Sequence, residues 1–195
     1  MMACWKYICL LLIVTATTLF SQSYEINVAI NARGDTLLLG SYYVSRERPR
    51  VNDTVVLRNG NGVFSKNREL PNGVYFLASE GRLLLEFIVG DNKNFGIVAD
   101  TADLINLTKF TNSPDNDVYF EYRRLTLELG REQQQLAELF RNAASDEERG
   151  EIIAKQRTLQ QESLEHIDRL IADNRHLYVS KIINSEIPVQ ARMPE

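Results

Sequence analysis

The chain has 195 residues, and its 26 acidic side chains outnumber its 22 basic ones, which gives a formal net charge of −4 at pH 7. Nucleic acids and anionic membrane surfaces are bound through clustered lysine and arginine residues, so this balance argues against both as partners. The length is sufficient for one substantial hydrophobic core, or for a core with an appended segment.

Residues 1–23 have the pattern of a secretory signal peptide. Lys6 is the only charge before Glu25, and an apolar run extends from Ile8 to Phe20. The run is shorter than the roughly 20 residues that span a bilayer, which favours a cleaved signal over a short membrane anchor. Small residues at Ser21 and Ser23 predict cleavage near Ser23. We therefore expect export to the periplasm or cell envelope, with no stable membrane span after processing.

Both cysteines of the chain, Cys4 and Cys9, lie inside this predicted signal peptide. The mature chain would then contain no cysteine, so it would form no disulfide and would depend on burial for its stability. The same absence excludes thiol chemistry. A lipid anchor is not expected either, because it needs a cysteine just after the apolar core.

Residues 24–111 alternate β-branched and aromatic side chains with polar ones, which is the period of half-buried strands. Turn signals such as Asn59-Gly-Asn-Gly62 and Glu80-Gly81 separate these stretches, because Asn and Gly accept a positive φ at little cost. The predicted strands are residues 26–30, 36–44, 51–58, 63–66, 74–79, 83–89, 95–99 and 104–110. Turns at intervals of roughly 8–12 residues favour an antiparallel β-sandwich or barrel.

Residues 112–188 change to a hydrophobic period of about 3.6, which is typical of helices. Ser113 is a suitable N-cap and Pro114 suits the first helical position, so a long helix is predicted to start there. Ser145-Asp-Glu-Glu148 matches a capping box and predicts the start of a second helix. Asp173-Asn174 would end it, and Leu177–Ile187 predicts a third, shorter helix.

The predicted fold class is therefore α+β: an N-terminal antiparallel β-sandwich or barrel, followed by a C-terminal helical hairpin, a third short helix and a tail at residues 189–195. The apolar stripes of the two long helices are narrow and rich in glutamine. Such helices pack as an antiparallel pair or against a partner, so a homodimer could form through residues such as Leu125 and Leu129. The stripe of the first helix consists of Val118, Tyr122, Leu125, Leu129, Leu136 and Phe140.

A search for catalytic or metal-binding residues assigns none. Asp100 and Asp103 offer two carboxylates, as a glycosidase needs, but acids in a turn are usually solvated or capping residues. His166 lies on the second predicted helix and His176 near the start of the third; ten residues apart, they do not form a zinc motif and are interpreted as solvated. We therefore assign no catalytic residue, no cofactor and no metal.

Three further patterns are candidates for binding or modification sites. Asp91–Gly96 resembles the start of a calcium loop, but Lys93 and Phe95 occupy positions that need oxygen ligands. Asn52 and Asn106 begin glycosylation sequons, which matter only if the source adds such glycans. Six aromatic residues fall at strand spacing, where core packing or a ligand-binding patch on the outer face are the alternatives. They are Tyr42, Tyr43, Tyr75, Phe76, Phe87 and Phe95.

Four short stretches, in their order and spacing, resemble a known family. They are Asn61-Gly-Val-Phe64 after the Asp53-Thr strand, Leu70-Pro-Asn-Gly-Val-Tyr75, Phe110-Thr-Asn-Ser-Pro-Asp-Asn116 and Ile171-Ala-Asp-Asn-Arg-His-Leu177. The chain resembles the N-terminal accessory domains of unknown function that precede thioredoxin-like modules in envelope thiol–disulfide interchange proteins of Gram-negative bacteria.

In that family the redox chemistry belongs to a Cys-x-x-Cys motif in the thioredoxin-like domain, and this sequence has no such motif. The resemblance therefore implies a non-catalytic module that binds or positions a protein partner or client, and it carries over no catalytic residue. The alternatives are a stand-alone periplasmic ligand-binding or structural protein, and an enzyme that uses carboxylates such as Asp100 and Asp103.

Overall fold

The computed structural model of the chain describes residues 23–42 and 49–187. The predicted signal peptide up to residue 22, the end of the predicted second strand at 43–44 and the predicted tail at 189–195 lie outside the described residues. Within the described part, eight strands precede three helices. The predicted α+β class, with N-terminal strands followed by C-terminal helices, is confirmed.

Most elements lie close to their predicted positions. The strands are β1 (Tyr24–Ile30), β2 (Thr36–Tyr42), β3 (Pro49–Val56), β4 (Asn61–Lys66), β5 (Gly73–Ser79), β6 (Arg82–Val89), β7 (Asn94–Ala99) and β8 (Lys109–Thr111). The helices are α1 (Pro114–Asn142), α2 (Asp146–Asp173) and α3 (Val179–Glu186). Among these described helices, none is both long and apolar enough to cross a membrane.

The strands form two four-stranded sheets. The first sheet has the order β4-β1-β7-β8, and the second has the order β3-β2-β5-β6. All strand pairs are antiparallel except β1 and β7, which run parallel. The prediction of an antiparallel sheet is therefore wrong for this pair. Between β1 and β7 the chain builds β4 of the first sheet and all four strands of the second sheet, and it then enters β7 in the same direction as β1.

Two tight turns follow the sequence prediction closely. Asn59 and Gly60 have φ values of 50° and 78°, and Glu80 and Gly81 have values of 50° and 74°. A positive φ at both central residues twists the backbone in the sense that joins antiparallel strands. The turn at Glu80-Gly81 accordingly sets the pairing of β5 with β6, and Asn59-Gly60 leads from β3 into β4.

The predicted strand at residues 104–110 is wrong in its first part. Asp103 accepts hydrogen bonds from the backbone N–H groups of Ile105 at 3.3 Å and Asn106 at 3.0 Å. A carboxylate that binds its own chain in this way offers the backbone an alternative to the strand ladder. Only Lys109–Thr111 pairs with β7.

The helix boundaries follow local capping chemistry. The Ser145 hydroxyl accepts the N–H of Glu148 at 3.1 Å, which confirms the predicted cap of α2. Ser113 occupies the predicted N-cap position of α1, but its hydroxyl accepts from the Asn116 side chain instead of a backbone N–H. The start of α1 is therefore fixed by a tertiary network that sequence spacing does not reveal.

The strands and the helices contribute to the same hydrophobic core. Tyr119 and Ile183 are fully buried, and they belong to the cluster that also contains Phe87 and Ile88 of β6. In α1, burial ends at Tyr122, and the remaining five turns have no buried residue. Because α1 is roughly 40 Å long, most of the helical hairpin is held by its own two helices.

Gly130→Ala is expected to stabilise the protein by about 0.5–1 kcal/mol. Gly130 is exposed inside α1, and a Cβ there would meet no atom within 4 Å. Glycine in a helix interior costs about 1 kcal/mol relative to alanine. Urea unfolding of the two proteins measures the difference, with Gly90→Ala as the contrasting variant. A Cβ at Gly90 would collide with the Asp115 carboxylate, so that substitution should destabilise.

Asp53 ties the two sheets together. Its carboxylate, on β3 of the second sheet, accepts from the Tyr24 hydroxyl at 2.8 Å and from Lys66 Nζ at 2.5 Å. Tyr24 and Lys66 are paired neighbours on β1 and β4 of the first sheet. Burial alone would raise the pKa of Asp53, but these hydrogen bonds hold it below its ordinary value. The ionised carboxylate is thus the form that the fold stabilises.

Asp53→Asn is expected to destabilise the protein by about 1–3 kcal/mol at pH 7, because it weakens two charge-assisted hydrogen bonds. The lowered pKa means that this stabilisation is complete above the unfolded-state pKa of about 4 and is lost as the pH falls below it. The difference between wild type and variant should therefore shrink at about pH 3. Urea unfolding at both pH values checks this, and a constant difference would contradict the assigned role of the carboxylate.

Candidate functional site

The two carboxylates singled out in the sequence close turns in the loop between β7 and β8. Asp100 accepts from Asn31 Nδ2 at 2.7 Å and from the Ala102 N–H at 2.9 Å. Asp103 accepts from Asn106 Nδ2 at 2.7 Å. The Ala102 N–H lowers the pKa of Asp100, and the Asn106 side chain lowers that of Asp103. Both shifts favour the ionised form, whereas a general acid needs a raised pKa.

Both histidines are exposed on the helical region. His166 Nε2 lies 3.6 Å from Glu121 Oε1 across the α1–α2 pair. In the described ranges, no group of three or more histidine, cysteine, aspartate or glutamate side chains is arranged to hold a metal ion.

The turn at Asp91–Gly96 contains a buried lysine side chain. The Lys93 side chain is only 7% exposed, and its ammonium donates to the Gly90 carbonyl and to Asn72 Oδ1. Burial lowers the pKa of Lys93. Phe95 lies in the hydrophobic core. Lys93 and Phe95 occupy positions at which a calcium loop would need oxygen ligands, so this segment is a structural turn.

The two sequon asparagines make local hydrogen bonds. Asn52 is half-buried and donates to Ser41 Oγ at 2.7 Å. Asn106 is exposed and donates to Asp103 Oδ2, as described above. Of the two, only Asn106 offers an exposed side chain.

The aromatic residues divide between the core and the surface. Tyr75, Phe87 and Phe95 are buried, with ring centroids 6.3 Å and 6.0 Å apart along the row. Tyr42 is half-buried and packs on Phe76 at 5.1 Å. Tyr43 lies outside the described residues. Tyr75, Phe87 and Phe95 are therefore core residues, whereas Tyr42 lines a surface cleft.

This cleft, which we call the joint cleft, lies where the second sheet meets α1 and α3. It has a volume of about 790 Å³. Its lining comes from β2, β5, β6 and both helices, together with the loop before β5. The lining residues are Tyr42, Asn72, Gly73, Val74, Glu86, Tyr122, Arg123, Thr126, Tyr178, Ile182, Ser185 and Glu186.

Glu86 and Arg123 form the centre of the joint cleft. Glu86 accepts from the Tyr42 hydroxyl at 2.7 Å and from Arg123 Nη1 at 3.4 Å. Arg123 Nη1 also lies 3.2 Å from the Tyr119 hydroxyl, and its guanidinium stands 5.7 Å from the centre of that ring. Burial would lower the pKa of Arg123, but Tyr119 and the carboxylates raise it. The guanidinium is therefore a permanent charge.

Tyr122 and Glu186 form the wall next to Arg123. Burial together with the neighbouring Glu186 carboxylate raises the pKa of Tyr122 to about 12. The phenol is therefore neutral at physiological pH. The cleft therefore combines charged side chains with aromatic rings, as small-molecule binding sites do.

From the sequence, Tyr42 is a candidate for a ligand-binding patch, and Tyr122 is placed only on the apolar stripe of the first helix. Glu86 could have been noticed, because it is a charged residue inside the apolar run Leu83–Val89. Arg123 and Glu186 carry no local signal, since they lie on two different helices and become neighbours of Glu86 only through the packing of α1 and α3.

A second candidate surface is the far half of the helical hairpin. Leu139, Phe140 and Ile153 are exposed, and all three lie within about two helical turns of the connection at residues 143–145. Leu139 is 56% exposed. In contrast, Leu125 and Leu129 are half-buried, and Leu125 packs against the core. We call the three exposed residues the hairpin tip.

Comparisons of the chain with protein-family models, with curated proteins and with solved structures found no match.

Proposed function

We propose that the chain is a non-catalytic, exported accessory module that binds a protein partner through its hairpin tip. The observation that carries the proposal is the exposure of Leu139, Phe140 and Ile153 near the connection between α1 and α2, beyond the last buried residue of α1. Large apolar side chains exposed in one part of a protein surface are typical of protein-interaction sites.

The resemblance to accessory domains of thiol–disulfide interchange proteins supplies the expected partner. It is a thioredoxin-like oxidoreductase domain or one of its clients, in the periplasm or cell envelope. The absence of a Cys-x-x-Cys motif from the sequence agrees with a module that positions such a domain and leaves the redox step to it. A homodimer through the same helices is the other arrangement that these exposed apolar side chains support.

Site-specific photocrosslinking in the native host tests this proposal. A photoreactive amino acid at Leu139 should give a discrete covalent adduct, and mass spectrometry should identify a partner that carries a Cys-x-x-Cys motif. The matched control is Leu83 on β6, which is 54% exposed and lies on the β-sheet part of the molecule. Equal adducts at both positions, or none at Leu139, would contradict binding through the hairpin tip.

A further inference from the structure

The joint cleft has hydrogen-bond donors that the protein itself does not use. Among the described residues, Arg123 makes its contacts through Nη1, so Nε and Nη2 have no protein acceptor there. The Tyr178 hydroxyl likewise has no hydrogen-bond partner within the described part of the chain. A guanidinium has five donors in a fixed fork, and the unused ones can reach a ligand with acceptor oxygens.

The charges around the cleft select against ionic ligands. Glu86 and Glu186 flank Arg123, so an anion would lie against two carboxylates. A cation would meet the guanidinium that already pairs with Glu86. Glu86 and Glu186 contribute acceptor oxygens to the cleft, and Arg123 and Tyr178 contribute donors. An uncharged ligand rich in hydroxyl groups, which both donate and accept, fits this set of groups.

The aromatic rings supply the apolar part of such recognition. Tyr42 and Tyr178 are half-buried and line the cleft from β2 and from the start of α3. A tyrosine ring presents a flat apolar face beside a polar hydroxyl, so it can cover the C–H face of a sugar ring while neighbouring groups bind the hydroxyls. The volume of about 790 Å³ lies in the range of small-molecule sites.

Addition of an extended peptide as a further strand is blocked at Ile88 of the adjoining sheet edge. Peptides that add a strand to a sheet need free backbone N–H and C=O groups on the edge strand. β6 is the edge of the second sheet next to the helices, and the side chain of Asn116 binds both the N–H and the C=O of Ile88.

We propose that the joint cleft is a binding site for a neutral oligosaccharide, with Arg123 and Tyr178 as its principal hydrogen-bonding residues. This site is separate from the hairpin tip, so the inference goes beyond the proposed function and does not depend on it.

Titration calorimetry on the mature protein tests the proposal. The probes are two neutral trisaccharides, maltotriose and tri-N-acetylchitotriose, with trigalacturonic acid, a chitosan trimer and an uncharged decapeptide for comparison. We expect saturable binding of a neutral probe only. Arg123→Lys keeps the charge but loses the planar fork, and it should weaken binding about tenfold; Tyr178→Phe removes one hydroxyl and should weaken it about threefold.

Arg124→Lys is the matched control, because Arg124 is the exposed neighbour of Arg123 and does not line the cleft. It should bind like the wild type. The proposal is overturned if neither neutral trisaccharide binds at millimolar concentration, or if a charged probe or the peptide binds more tightly. Equal affinities for Arg123→Lys and Arg124→Lys would also overturn it. Thermal unfolding of each variant establishes that weakened binding is not a loss of fold.

Discussion

Asn116→Ala is expected to lower the free energy of unfolding by about 4 kcal/mol, a large part of the roughly 5–15 kcal/mol of a typical domain. The Asn116 side chain is fully buried at the start of α1. Its Oδ1 accepts the Ile88 N–H at 2.7 Å, and its Nδ2 donates to the Ile88 carbonyl at 2.7 Å. Nδ2 also donates to Ser113 Oγ at 2.7 Å.

The large cost follows from the position of Ile88 on the edge strand β6. Its outward N–H and C=O have no neighbouring strand, and the amide of Asn116 takes the place of one. Alanine would leave both groups buried without partners, at about 1–3 kcal/mol each. Asn116→Asp, of nearly the same shape, should also destabilise, because a carboxylate cannot donate to the Ile88 carbonyl.

Urea unfolding followed by circular dichroism measures both variants. Asn27→Ala is the control, because Asn27 is exposed on β1 and donates only to the exposed Glu25 side chain. It should change the free energy of unfolding by less than about 0.5 kcal/mol. If Asn116→Ala were as stable as this control, the edge of β6 would have to be satisfied in another way.

Much of the fold could be predicted because its signals are local. Asn59-Gly60 and Glu80-Gly81 adopt the positive φ values that their residue types favour, and Ser145 caps α2 as its spacing to Glu148 indicates. These features depend on residues a few positions apart. The hydrophobic period and the turn residues therefore predict the order of the elements and the fold class.

The features that could not be predicted depend on contacts between distant residues. The parallel pairing of β1 with β7 joins strands that are far apart in the sequence, and neither strand carries a local signal for it. The joint cleft combines Glu86 with Arg123 and Glu186, which are far apart in the sequence. Asp103 stands out in the sequence as a carboxylate, but the sequence does not show that it accepts hydrogen bonds from the N–H groups that follow it, which shortens β8.

The protein is also expected to unfold between about pH 10 and pH 12 through ionisation of buried tyrosines. The pKa values of Tyr24, Tyr75 and Tyr122 are each raised to about 12, chiefly by burial. Asp53 adds to the shift at Tyr24, and Glu186 adds to it at Tyr122. Burial raises the pKa of Tyr119 as well.

The direction of the pH effect follows from whether the folded or the unfolded state binds the tyrosine protons more tightly. A raised folded-state pKa leaves stability complete below the unfolded value of about 10, and stability is lost as the pH rises through the folded value. Each pKa unit corresponds to about 1.4 kcal/mol, so three tyrosines together can remove several kcal/mol. Lys93 acts in the opposite direction, because burial lowers its pKa, but it is one group against at least three.

Tyrosinate absorbance and circular dichroism, followed together on raising the pH, check this prediction. The buried tyrosines should ionise in the same steep transition in which secondary structure is lost, and both signals should recover on return to pH 7. Tyr75→Phe removes one ionisation and the hydrogen bond from its hydroxyl to the Pro71 carbonyl. The variant should therefore be slightly less stable at pH 7, yet lose less stability between pH 10 and pH 12. The prediction is contradicted if all tyrosines ionise near pH 10 while the fold stays intact. That result would show that these phenols are accessible to solvent, because ionisation of a buried phenol requires unfolding.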